Sequence, residues 1–371
     1  MRKKVAVSVL ALVLVIAIAS SALAGEITLG ISPEMELLAG VLAQTTWIVQ
    51  RGPESEGNEF YRALKEFFAL YKDHTAVKIA QKLTDRGFTY DAPPAFMAHL
   101  GPLPELELVH EYSDYLVERA KGRDILEEFR LALRDLAAES QFLDFFAQWQ
   151  PYLMEVVAEI SADFAPEQAK AWLETFFGWP AAEFHLVLTP SMFPGGGYGA
   201  TVTTADGELI AYQITREFGY STTKPEFPTG ASLEQLTIHE LGHSFVNPSF
   251  EVYPREVKAF KPLFNRVRDV MREQAYPSVD IFINEQVLRA VEVMAAKDLY
   301  GAEIAEMTVL YNEERGFYLT RFVVEQLEVY TQNRDQYPTF RDFVPYLLTQ
   351  LTEYQDENCS WWEKLWAMFS F

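Results

Sequence analysis

The chain has a single cysteine, Cys359, in 371 residues. That excludes an intrachain disulfide and any zinc site built from thiolates. Metal ligands, if any, must come from histidine and carboxylates, the donor set of catalytic rather than structural zinc. Histidine is scarce too, with six in all. Basic residues are outnumbered, 31 Lys and Arg against 53 Asp and Glu, for a formal net charge of −22. Such a balance repels nucleic acid and anionic membrane surfaces, so no nucleic-acid partner is expected. No Gly/Ser linker, low-complexity tract or internal repeat interrupts the sequence. After the first two dozen residues, no apolar run is long enough to span a bilayer, so no transmembrane segment is expected in the mature chain.

The beginning reads as a secretory leader. Arg2, Lys3 and Lys4 form a positive n-region, Val5 to Ala19 an apolar stretch, and Ala22-Leu23-Ala24 a small-residue cleavage site. Residues 1–24 are therefore assigned to a signal peptide, and the mature protein is expected outside the cytoplasm, secreted or periplasmic.

Two of the scarce histidines fall in His239-Glu240-Leu241-Gly242-His243. On a helix, positions four apart share a face. Two imidazoles so placed can take two corners of a tetrahedral Zn²⁺ site. Glu240 can then reach the open position and deprotonate a metal-bound water. The surroundings favour a helix over Leu233 to Val246. Ser232 and Gln235 make a capping box, apolar residues recur over several turns, and Pro248 closes the segment. Gly242 weakens a helix, which suggests a close approach by a neighbour.

Residues 25–178 read as a helical N-terminal region. Glu59 to Tyr71, Ala76 to Arg86, Leu106 to Arg119 and Asp124 to Glu139 carry helical spacing. Asp91-Ala92-Pro93-Pro94 reads as a loop. Residues 179–371 read as a zincin-like catalytic region, either separate from or continuous with the first. Glu183 to Leu188, Tyr198 to Thr204 and Leu209 to Thr215 read as strands, with Asp206-Gly207 a hairpin turn. The expected fold class is α+β, predominantly α, with a small antiparallel sheet before the metal helix. Helices follow at Asp280 to Tyr300, Phe317 to Tyr330 and Phe340 to Tyr354. The aromatic end, with Trp361, Trp362, Trp366, Phe369 and Phe371, is read as packing on the protein body in preference to a membrane surface.

A catalytic zinc needs a third protein ligand. A metzincin-type site would place His or Asp six residues after His243, where this chain has Ser249. The alternative takes a Glu from a later helix. Glu285 is preferred, with Glu251 and Glu292 as alternatives. Arg289 could orient Glu285 or meet a substrate carboxylate, and Glu292 could orient a metal-bound His from behind. Tyr311, Tyr318, Tyr198 and Arg289 are candidates to stabilise a transition state.

The run from His239 to Pro248, with Asn284-Glu285 and Arg289-Ala290-Val291-Glu292, resembles gluzincin-like metallopeptidases. More closely, it is similar to an uncharacterised family of exported prokaryotic proteins, a domain of unknown function read as zinc proteases. Glu314-Arg315-Gly316-Phe317 and Tyr330 to Phe343 add to the likeness. The resemblance implies a zincin core and one Zn²⁺. The expected function is an exported zinc metallopeptidase acting on a peptide or protein. Rival readings are a zinc hydrolase of non-peptide amides or esters, a catalytically inactive zincin-fold binding protein of the cell envelope, and a helical envelope protein whose histidines are structural.

Overall fold

The computed structural model describes residues 26–52, 57–193, 196–218 and 223–360. The leader and the tryptophan-rich tail lie outside them. The first part runs β1 (Glu26–Gly30), α1 (Pro33–Leu42), α2 (Thr46–Arg51), α3 (Glu59–Ala69), α4 (Thr75–Thr84), α5 (Ala92–Met97), α6 (Asp114–Ala120), α7 (Arg123–Ser140), α8 (Phe142–Ala162) and α9 (Pro166–Phe177). Then come β2 (Glu183–Thr189), β3 (Gly197–Thr203), β4 (Leu209–Arg216) and α10 (Gly230–Glu251). Short helices α11 (Pro254–Ala259), α12 (Lys261–Asn265) and α13 (Arg268–Glu273) lead to α14 (Val279–Tyr300), α15 (Ala302–Glu314), α16 (Thr320–Gln332) and α17 (Phe340–Asn358). The fold is α+β and predominantly helical. Among the described residues no helix is long and apolar enough to cross a membrane.

The sheet differs from expectation. It is mixed, in the order β1-β2-β4-β3. β3 and β4 form the expected hairpin, turning at Gly207 with φ +84. β2, however, runs parallel to β4, and β1 runs parallel to β2. Strand β1 escaped notice because it offers only five residues with one alternation, Ile27-Thr28-Leu29.

Period-2 alternation divides the sheet between two cores. Tyr198, Ala200, Val202, Ile210 and Ile214 join a core made with α1 and α3–α8. Phe184, Leu186, Leu188 and Ala211 face the other way, into a core made with α9, α10, α14, α16 and α17.

Three local readings are corrected. Asp91 to Pro94 is no loop but the start of α5, since proline is tolerated in a first helical turn. Helix α6 begins only at Asp114, capped by the Ser113 hydroxyl. Upstream, Leu106 takes φ +48 and Leu108 bridges Leu100, so that stretch is not helical. Helix α10 starts at Gly230 with Thr229 as N-cap and no capping box, and continues through Pro248 to Glu251. An interior proline costs about 3 kcal/mol. Burial of Phe245 and Phe250, with Phe245 stacked 4.7 Å from Phe177, offsets that cost.

Candidate metal centre

Helix α10 lies between the sheet and α14. On the sheet side Gly197, Gly199 and Thr201 of β3 face it. Thr201 Oγ1 donates to Ser244 Oγ at 2.7 Å. A Cβ on Gly199 would fall 2.5 Å from the Glu240 carbonyl oxygen, and one on Gly197 2.7 Å from Glu240 Oε1. Only glycine admits so close a strand. On the other side, a Cβ on Gly242 would meet Leu288 Cδ2 at 2.7 Å. This is the close approach that Gly242 suggested, and it draws α14 against α10.

Between the two helices, ligand atoms of His239, Glu240 and His243 all lie within 4.8 Å of one another, an arrangement that could hold a metal ion. From α14, Glu285 presents one oxygen 3.3 Å from His243 Nε2 and the other 3.8 Å from His239 Nε2. The far side of each ring is also engaged. His243 Nδ1 meets Asn247 Oδ1 at 3.3 Å, and His239 Nδ1 lies 2.8 Å from Glu292 Oε1. The latter contact is a close electrostatic approach, not a bond aligned along the ring N–H. A proton kept on Nδ1 near these oxygens would leave each Nε2 free to donate its lone pair to an ion bound beside Glu285.

Residues 285, 289 and 292 lie on one stripe of α14. Arg289 sends Nη2 to Glu285 at 3.2 Å and Nη1 to Glu292 at 2.8 Å. Asn312 Nδ2 approaches the second oxygen of Glu292 at 3.5 Å. Tyr276 places its hydroxyl 3.5 Å from Arg289 Nη2.

The charges are strongly coupled. Burial alone would push the Glu285 carboxyl up, but His239, His243 and Arg289 hold it well below the usual carboxylate range. Burial disfavours a charged His243, yet Glu285 lifts it to about 9. Burial raises Glu240, against the pull of both histidines. Burial and the Glu285 charge raise the Tyr276 hydroxyl far above its ordinary value, so it remains a donor. Three buried carboxylates thus face one guanidinium. The surplus negative potential draws a proton onto His243, and a divalent cation would answer it better. The donor set, two imidazole nitrogens and a carboxylate, suits zinc.

Other expected residues lie elsewhere. Glu251 is exposed at the end of α10, two turns past His243. Tyr198 points from β3 into the opposite core. Tyr318 donates to the Leu263 carbonyl at 2.9 Å, and Tyr311 is 58% exposed. Tyr198 nevertheless lies within electrostatic reach of Glu240, since β3 packs on α10. Tyr276 and Asn247 were missed. Asn247 sits four residues past His243, so helical spacing alone could have found it. Tyr276 comes from a turn before α14, and no sequence spacing announces it.

A family model described as a domain of unknown function (DUF4932) matches residues 27–350. The chain belongs to the DUF4932 family. No curated protein and no solved structure matches it. The match covers the sheet, α10 and α14 together, so the whole His–Glu cluster lies inside the DUF4932 domain.

Proposed function

We propose that this DUF4932 protein is a zinc-dependent metallopeptidase working outside the cytoplasm. The observation that carries the reading is the convergence of His239 Nε2, His243 Nε2 and the Glu285 carboxylate beside a buried Glu240. His239, His243 and Glu285 would hold the ion. Zn²⁺ supplies Lewis acidity towards a carbonyl and a water. Glu240, packed under Gly197, takes a proton from the attacking water and returns it to the leaving amine. Its raised affinity for a proton suits that exchange. Tyr276, whose hydroxyl meets Arg289 beside Glu285, is the phenol we assign to donate to a developing oxyanion. Strand β3 is the outer strand of its sheet and runs along α10, so an extended peptide could add to its edge. The leader-like start of the sequence supports an extracytoplasmic location.

The test is metal analysis and peptide hydrolysis by the purified protein. Wild type, Glu240→Gln and Glu251→Ala should each carry about one zinc, and Glu285→Ala should lose most of it. Casein or peptide cleavage should vanish in Glu240→Gln. A wild-type protein that binds no zinc, or a Glu240→Gln variant that cleaves as well as wild type, would overturn the proposal.

A further inference from the structure

Arg315 ends α15 with its guanidinium held but not neutralised. The group lies over the Tyr311 ring at 5.2 Å and the Phe317 ring at 5.4 Å. Its Nε donates to Gln274 Oε1 at 3.3 Å, while Gln274 Nε2 donates back to the Arg315 carbonyl at 2.8 Å. Among the described residues no carboxylate lies within 4.0 Å of it. Arg289, by contrast, is committed to two carboxylates.

The place of this cation matters. Phe317 also carries Arg289 at 5.0 Å from its centre and meets Tyr276 edge-on at 5.9 Å. Arg315 and Arg289 therefore sit within about 10 Å of each other, each against the same ring. Arg289 in turn touches Glu285. The Tyr276 hydroxyl feels the charges of Glu285, Glu240 and Arg315 together, so Arg315 belongs to the same electrostatic neighbourhood as the histidine pair.

We propose that Arg315 determines specificity by binding a carboxylate of the peptide substrate, within about four residues of the bond to be cut. The inference rests on the peptidase reading above. An extended peptide advances roughly 3.3 Å per residue, so three or four residues bridge the distance. A guanidinium fixed by two rings and an amide keeps its terminal N–H groups in one plane, the geometry that receives a carboxylate in two parallel bonds. The acidic body of the protein repels an anionic peptide at long range. Selection by Arg315 is thus a short-range effect of direct contact. The carboxylate can come from an Asp or Glu side chain or from a free C-terminus.

The experiment compares kcat/KM for matched peptides carrying Glu or Gln near the cleaved bond, and for free against amidated C-termini. Wild type should favour one carboxylate source by about tenfold or more. The ratio should approach one in Arg315→Gln, recover in part in Arg315→Lys, and reverse in favour of a lysine peptide in Arg315→Glu. Equal ratios in wild type and Arg315→Gln would overturn the assignment. So would a wild type with no preference. A wild type that cuts nothing would fail the peptidase reading instead. In that case, calorimetry of the Glu and Gln peptides on zinc-loaded Glu240→Gln protein, with and without Arg315→Gln, decides the ligand of Arg315. A preference lost on substitution supports it, and equal affinities overturn it.

Discussion

His239 Nδ1 lies 2.8 Å from Glu292 Oε1, so the first histidine of α10 is steered by an acid on the neighbouring helix. The same oxygen receives Arg289 at 2.8 Å, which keeps Glu292 ionised despite burial. The expectation is that Glu292→Gln folds but holds zinc about 10–100-fold more weakly. Competition with a chromogenic chelator measures this. Unchanged affinity would remove Glu292 from the centre.

Tyr276 reaches the centre from the turn before α14 and keeps its proton. Replacing it with Phe removes one hydroxyl and little volume. On the proposed function, kcat should fall by about 100-fold with zinc content unchanged. Steady-state kinetics beside metal analysis separates this from loss of the ion. An unaltered kcat would move the oxyanion donor elsewhere.

Gly199 is needed for space, since its backbone torsion is ordinary and a Cβ would collide with the Glu240 carbonyl. Backbone atoms cannot swing aside as a side-chain tip can. Gly199→Ala should therefore destabilise the protein by roughly 1–3 kcal/mol. Denaturant midpoints give the measurement. Gly207→Ala is the contrasting variant, strained by its positive φ but with open space around it.

Glu36 is fully buried on α1, with no well-aligned hydrogen bond to either oxygen and Ser191 as its polar neighbour. Burial lifts it from 4.5 to about 8, with Ser191 offsetting only part of the rise. A raised carboxyl means the folded state holds a proton that the unfolded chain releases. Its contribution is whole below about 4.5 and is lost as pH climbs through about 8. Each unit of displacement corresponds to about 1.4 kcal/mol. Glu36→Gln should flatten the decline in stability across that window. Urea unfolding at both ends of the window tests it, and parallel declines in the two proteins would refute it.

The sequence exposes the parts of the centre that obey helical arithmetic. His239, Glu240 and His243 share one turn, and Glu285, Arg289 and Glu292 repeat at four and three on a helix with clear ends. What stays hidden depends on tertiary packing. Pro248 reads as a stop, yet aromatic burial carries α10 past it. Strand β1 is too short to signal itself, and parallel pairing leaves no turn to read. Tyr276 and Arg289 meet against a shared ring, Phe317, which comes from a distant part of the chain.

Strands β1 and β2 are neighbours although 157 residues separate Thr28 from His185. Closing so long an intervening stretch is slow, whereas the β3–β4 hairpin can form as soon as it is synthesised. Most of the first helical layer must be made before β2 meets its two parallel partners. On that ground the platform beneath α10 is expected to complete late in folding, so an ion held by α10 and α14 would be bound after the chain has collapsed.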